Sequence, residues 1–506
     1  MNDFVEKTTY SPVFSYLGIT PKFSLEEYIE KKTYNEYEFR DASGNVKTCF
    51  KKYIMLVDYV KFLIGKYKND TLAILPSNDL VATNLFQETV KSCHNYAYVD
   101  SFFYYLTNLL NQKGFVHGIQ VYDSYVCIQK NIEINVADDF EYICDSNYFN
   151  DKLNTLFHFK DESVFSKKVQ SPIQISDENV ELEMEELSSS EDEGHVATIH
   201  EITTEVTDEL TSSSDSGSSV EDTMDNDSEL SHTDEEDEDD SHSSESHSVN
   251  SMETDIDLVL VIKEAPAQVV SIEKCENTID YLLENNELRI EELESAMFQV
   301  IVMLYTYQNL FDFTHNDLHT NNIMYVTTEE KFLSYKIKDK YYKIPTFGKI
   351  YKIIDFGRAI YTVNDKVLCS DSFSEHGMAY TQYNFEPFYN AQKPKILPNK
   401  SFDLCRLGCS IIDFIIDDLN DLDKFKKVPI YDLIISWIYD DSGTNILYKK
   451  NGEDRYPDFK LYKMIARIVH NHVPEKQFDH VCFEKYIYET LDTFIDVDHL
   501  IQQKVL

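Results

Sequence analysis

The chain has 506 residues, 42% of them hydrophobic and 13% aromatic, and a formal net charge of −44 at pH 7. That length suits two or three domains with a sizeable core, and no stretch approaches the run of about eighteen apolar residues that a membrane span needs. Thirty of the 44 excess negative charges fall within residues 177–257, leaving about −14 elsewhere, so the net basic face of a nucleic-acid binder is not expected.

The N-terminus reads as carrying no secretory leader. Nine cysteines are scattered with no CxxC pair, which reads as reduced thiols in a cytoplasmic protein. In chain order, residues 1 to about 165 alternate strand-like and helical patches. EFRDASGNVKTCFKKYIML (38–56) predicts a hairpin with Ser-Gly-Asn in its turn. YVDSFFYYLTNLLNQKG (98–114) predicts a helix closed by Gly114, and FVHGIQVYDSYVCIQK (115–130) predicts two strands about a turn.

From 171 to 257 the chain is low-complexity, acidic and Ser-rich, with no Lys or Arg. So little apolar area does not offset the entropy of ordering it, and disorder is expected. The serines beside acids suit acid-directed phosphorylation. Next come a buried strand running into a polar connector (267–277), a short helix (278–285) and a long amphipathic helix from Ile290 to Phe311, with Leu293, Met297, Val300, Ile301, Leu304 and Tyr307 on one face. The chain from about 389 onward is mostly helical in pattern.

Chemistry concentrates in two short stretches. THNDLHTNNIMY (314–325) spends His315, Asp317, His319 and Asn322 on a tight loop, and YKIIDFGRA (351–359) runs a β-branched strand into Asp355, with Gly357 releasing the backbone. One loop thus offers a carboxylate and an amide, and a strand end offers a second carboxylate. Mg²⁺ prefers few protein oxygens together with phosphate oxygens, so the set suits a metal–nucleotide complex while another carboxylate faces a hydroxyl.

His315-Asn316-Asp317-Leu318 through Asn322, followed by Asp355-Phe356-Gly357, resembles the catalytic loop and DFG signature of protein kinases. SFDLCRLGCSIIDFI (401–415) resembles the kinase helix whose first Asp, here Asp403, anchors the catalytic-loop backbone, with Gly408 five residues on. The combined pattern is similar to the protein kinases of large cytoplasmic DNA viruses, of the iridovirus and mimivirus type.

The resemblance implies an α+β, bilobal kinase-like fold. Residues 1–170 would form the first part of a small lobe, 171–257 a disordered acidic insertion, 258–277 the end of the small lobe and its hinge, and 278–506 a helical catalytic lobe. It implies ATP and Mg²⁺ as cofactors. Asp317 would take the proton of the attacking hydroxyl, Asn322 and Asp355 would hold the metal, and His315 would pack beneath Asp355. His319 stands where a phosphate-contacting Lys is usual. Asn316 replaces the Arg that a phosphorylated activation loop neutralises, so activity without such phosphorylation is expected.

Asp317 and Asp355 are further apart in sequence than is usual in the family. The extra stretch, 331–349, is basic and Tyr-rich. It reads as an elongated hairpin, or as a grip for an acidic substrate or for the acidic insertion. No GxGxxG is present. Lys52 is the candidate for the phosphates, with Lys51 pointing to the opposite face, and Asp100 is its candidate partner, with Glu88 as substitute. The Glu273 carbonyl and Cys275 N–H would face adenine.

The implied activity is serine/threonine protein phosphorylation by a monomer acting on protein substrates, some of them basic, with no nucleic-acid or membrane partner. Two other readings compete: a catalytically dead scaffold whose acidic tract binds basic partners, and a small-molecule kinase.

Overall fold

The computed structural model describes residues 4–67, 73–137, 139–161, 258–416, 422–503 and 505. The disorder expected over 171–257 lies outside the described residues. The architecture is mixed α+β, as the sequence predicts. A seven-stranded antiparallel sheet takes in most of the early strands, and helices dominate after residue 278.

The sheet comprises β1 (Phe4–Thr8), β2 (Leu25–Lys31), β3 (Glu36–Asp41), β4 (Val46–Met55), β5 (Val121–Asn135), β6 (Phe157–Phe159) and β7 (Val259–Glu273). Its order is β1-β5-β7-β4-β3-β2, with β6 pairing β7 as well. The predicted 38–56 hairpin is β3–β4. Its turn closes because Asp41 accepts hydrogen bonds from the Ser43 and Asn45 N–H groups, and Gly44 takes the left-handed conformation the reversal needs.

The two strands expected over 115–130 are instead one, β5, which runs on to Asn135 and pairs with β7 along its whole length. Asp123-Ser124 makes no turn. The Asp123 carboxylate accepts from Ser124 N–H and the Tyr28 hydroxyl, and a register slip beside it absorbs the irregularity.

The Tyr96–Gln112 helix starts where the Asn95 side chain accepts from Ala97 N–H, and it ends before Gly114. It packs on β7 and β5 with almost every residue buried, Asp100 included. The Ile290–Phe311 helix begins with a reciprocal Arg289–Glu292 cap and is buried on every face, so the one-sided pattern predicted for it is incomplete. Its second face is covered by residues distant in sequence: Phe298 packs on Tyr335, Tyr342, Phe478 and Phe483.

β8 (Ile323–Thr327) pairs with β11 (Lys349–Ile353), which brings the ends of the Asp317 and Asp355 loops side by side. The extra length between them forms the β9 (Phe332–Ile337) and β10 (Lys340–Pro345) hairpin. This hairpin does not prolong β8–β11. It joins two short late strands, Ile487–Tyr488 and Ile495–Asp496, in a separate four-stranded sheet. Its lysines meet the chain's own acids, Lys340 with Asp479 at 2.8 Å and Lys338 with Glu475 at 3.5 Å, which favours the plain-hairpin reading over an acidic grip.

One apolar cluster runs from Val13 through Phe103 and Phe298 to Leu500, and a second surrounds Phe402 and Ile465. Among the described residues no helix is long and apolar enough to cross a membrane.

Candidate functional site

The loop after the Ile290–Phe311 helix is fixed by backbone pairing of Thr314 with Ile360, 2.9 Å in both directions. Asp403, in the first turn of the Phe402–Ile415 helix, then clamps it. Its two oxygens accept from the N–H groups of His315 and Asn316, each at 2.9 Å. Burial pushes the Asp403 carboxyl up to about 7, against these two hydrogen bonds. Asn316 takes a left-handed backbone, which an Asn tolerates. Its amide donates to the Thr314 and Arg358 carbonyls and accepts the Tyr383 hydroxyl at 2.8 Å.

His315 is fully buried, and burial lowers its pKa, so the ring is neutral. Its Nε2–H donates to the Ile354 carbonyl at 2.9 Å, leaving Nδ1 to accept Asp317 N–H at 3.3 Å. The loop and the strand end before Asp355 are thereby bolted together. Asn322 donates through Nδ2 to the Asp317 carbonyl (2.9 Å) and to His319 Nε2 (3.1 Å), which turns its Oδ1 the other way. His319 therefore spends Nε2 as an acceptor. Burial lowers its pKa although Asp317 pulls the other way, so it is no ready cation at neutral pH.

The Asp317 carboxylate faces cations. Its Oδ1 accepts the Tyr462 hydroxyl at 2.9 Å and lies 3.6 Å from Arg358 Nη1. Burial works against its charge, but Arg358, His319 and Arg406 outweigh it and hold its pKa below the usual value. The Tyr462 hydroxyl also accepts from Arg406 Nε at 2.9 Å. Burial lifts the phenol to about 12, so its proton stays on at neutral pH.

Lys52 leaves β4 and reaches both candidate carboxylates, Asp100 Oδ2 at 3.0 Å and Asp355 Oδ1 at 2.9 Å. The two acids raise its pKa against the effect of burial. Asp355 has a left-handed backbone and a half-exposed carboxylate, which Lys52 pulls down to about 2. Asp100 lies beneath at 1% exposure. Burial lifts it to about 6, and its Oδ1 accepts the Phe356 N–H at 2.6 Å. Phe356 is fully buried against Phe103, Tyr104 and His315. Lys51 does face away, lying between the Tyr28 and Tyr37 rings. Glu88, on the separate Leu85–Lys91 helix, is not in the cluster.

β7 ends at Glu273, and residues 274–277 lead on to the Ile279–Glu284 helix. The Glu273 carboxylate turns inward to the buried Lys352 ammonium at 2.8 Å, which also donates to the Val116 and Gly118 carbonyls. Cys275 is half-buried, its thiol pushed up to about 12 by burial, and its N–H donates no hydrogen bond among the described residues.

The structure thus gathers Lys52, Asp100 and Asp355 into one ion-pair group. Asp317, His319 and Asn322 share a second, adjoining network, linked to it through His315 and Ile354. Glu273 and Cys275 stand apart at the connector. Sequence reasoning missed Arg358, Arg406, Tyr462, Tyr383 and Lys352. Arg358 and Arg406 each sit three residues after a singled-out Asp, which was a usable signal. Tyr462 carried none. No protein-family model matches the chain, and no characterised protein shows significant sequence similarity to it.

Proposed function

We propose that the chain is an ATP-dependent serine/threonine protein kinase with a two-lobed kinase-like fold, the sheet forming the small lobe and the helices after residue 278 the large one. The observation that carries this reading is the Lys52 ammonium held between Asp100 and Asp355, next to a loop whose backbone Asp403 clamps. Order along the chain supports it as well. A strand bearing Lys52, a helix bearing Asp100, a connector at 274–277, the Asp317 loop and the Asp355 turn follow one another in the order of the protein-kinase signature set.

On this reading Lys52 grips the α- and β-phosphates, with Asp100 holding it extended, and the connector backbone at Glu273 and Cys275 faces adenine. Asp317 accepts the proton as the acceptor oxygen bonds to the γ-phosphorus and the bond to the ADP oxygen breaks. Catalysis is then positioning and charge stabilisation, with no covalent intermediate on the protein.

Asn322 and Asp355 fit a Mg²⁺ ion. The Asn322 Nδ2 is committed to Asp317 and His319, which leaves Oδ1 as a hard oxygen donor, and the Asp355 carboxylate is half-open. Two protein oxygens completed by phosphates are what Mg²⁺ prefers. Bound there, the ion would offset the charge of the phosphates.

One feature favours the non-catalytic scaffold instead. The β2–β3 turn, in the position of a phosphate lid, has no glycine, and its Tyr34 packs on Tyr53, on the face of β4 opposite Lys52. The test is incubation of the full chain with Mg²⁺ and γ-labelled ATP, with casein and a basic protein as acceptors, beside Asp317→Asn. Label transfer by the wild type alone supports the kinase, and a need for polypeptide acceptor separates it from a small-molecule kinase. No transfer and no ATP-induced thermal shift would leave the scaffold, with the acidic tract as its binding element.

A further inference from the structure

Tyr462 lies in the Lys460–Ile468 helix, far along the chain from the Asp317 loop, and is 9% exposed. Its ring packs on other aromatics, stacked on Phe459 at 5.4 Å and tilted against Phe402 at 6.0 Å. Removing the hydroxyl alone leaves these ring contacts in place, and it is the hydroxyl that meets Asp317. It stands in a relay: Arg406 Nε–H donates to the phenol oxygen, and the phenol O–H donates to Asp317 Oδ1. A hydroxyl that accepts from a guanidinium is polarised into a better donor. The Arg406 guanidinium also lies 5.2 Å from the ring centre and that of Arg358 5.7 Å, so the ring is a platform between two cations.

The rest of Asp317 is equally committed. Its N–H goes to His315 and its carbonyl accepts from Asn322, while Oδ1 receives Tyr462 and faces Arg358. Only Oδ2 has no hydrogen bond among the described residues. We propose that Tyr462, backed by Arg406, is a positioning residue for Asp317: by occupying Oδ1 it locks the carboxylate rotamer and presents Oδ2 alone to the acceptor hydroxyl. This rests on the reading of Asp317 as the group that receives the acceptor's proton. Among the described residues the loop supplies no side-chain donor to either oxygen of this carboxylate, and a helix 145 residues further along supplies it.

The test is Tyr462→Phe, which removes one oxygen and leaves the ring packing intact, measured alone and on the Asp317→Asn background. The expected result is a fall in kcat on the order of ten- to a hundredfold, the cost of a misplaced reacting group. KM for ATP and for the polypeptide acceptor should change less than twofold. On the residual transfer left in Asp317→Asn, read at high enzyme concentration and long incubation, the same substitution should have no further effect, because two residues acting as one unit are not additive. Arg406→Met, which leaves the hydroxyl but not its polarising partner, should show a smaller loss in kcat.

An unchanged kcat in Tyr462→Phe, a change confined to KM, or an equal loss with and without the Asp317 carboxylate would each overturn the proposal while leaving the kinase reading intact. A wild type that transfers no phosphate to either acceptor would overturn both.

Discussion

The Lys52 ammonium lies 3.0 Å from Asp100 and 2.9 Å from Asp355, so one side chain ties a strand, a helix and a turn that are remote in sequence. Asp100 also receives the Phe356 N–H, which makes it the hub of the group. On the proposed kinase reading, Lys52→Met should lower phosphoryl transfer by about a hundredfold or more while the chain stays folded, since the loss is one of charge stabilisation. Asp100→Ala should cost more in stability, about 1–3 kcal/mol, because it leaves the buried Phe356 N–H without its acceptor and takes from Lys52 one of its two carboxylates. Urea unfolding of the two variants side by side separates these effects.

Asn316 and Tyr383 form a neutral link between the Asp317 loop and the segment that follows Asp355. The link itself carries no charge that a phosphate would neutralise. The quadruple variant Ser370→Ala, Ser372→Ala, Ser374→Ala, Thr381→Ala should therefore keep its transfer activity in the assay described above. Its stability should drop by about 1 kcal/mol, since the Ser370 hydroxyl caps the turn at Ser372. Tyr383→Phe should lower stability by about 1–3 kcal/mol, by leaving the Asn316 carbonyl oxygen without its donor. Loss of transfer in the quadruple variant with the fold intact would refute the phosphate-independent link.

Asp371 accepts the Tyr96 N–H at 2.9 Å and so holds the N-terminal end of the helix that carries Asp100. Burial pushes its carboxyl up to about 7; the Tyr96 N–H and Lys61 oppose this, and Asp58 adds to it. Between about pH 4 and 7 the folded chain keeps a proton here that the unfolded chain has released. Stability from this group must therefore fall as pH rises through that window. Asp371→Asn removes the titration. Between pH 5 and 7.5 the wild-type melting temperature should drop by about 2 °C or more relative to the variant. Parallel curves would show that Asp371 is charged throughout.

The ends of the acidic tract leave the sheet as neighbours: Lys160 N–H donates to the Val259 carbonyl at 2.9 Å, and Phe159 pairs with Leu260. Replacing residues 162–257 by a short Gly-containing turn should leave a plain β6–β7 hairpin, a fold with an unchanged melting temperature and, for an enzyme, unchanged transfer. A scaffold would lose its basic partner. A pull-down with a histone-like protein, run beside the transfer assay, distinguishes them.

Much of the site was legible because its residues are bunched. Asp317 and Asn322 share one turn, Asp355 follows a strand, and Asp403 opens a helix with Gly408 in it. The Lys52–Asp100 pair followed from the kinase resemblance, which asks for a strand Lys and an acid on the following helix, with strand alternation setting Lys51 aside. What was not legible depended on partners remote in sequence. Residues 115–130 looked like two strands about a turn until β7 was there to hold 121–135 as one strand. The far face of Ile290–Phe311 looked unburied until Phe478 and Phe483 covered it. Tyr462 reaches Asp317 only after the second core has formed around Phe402 and Ile465, and no local pattern could announce that.

The position of β7 also bears on how the chain folds. It is a central strand, lying between β5 and β4, yet it follows both of them in sequence, beyond residues 162–257. During synthesis the sheet's first strands would wait about 5–20 s for it at ordinary elongation rates, with the inner edges of β4 and β5 open. Folding of this half is therefore a late strand insertion with long sequence separations, and it should be slow. An isolated 1–161 fragment should aggregate through those two edges, and a separate peptide of residues 258–277 should suppress it.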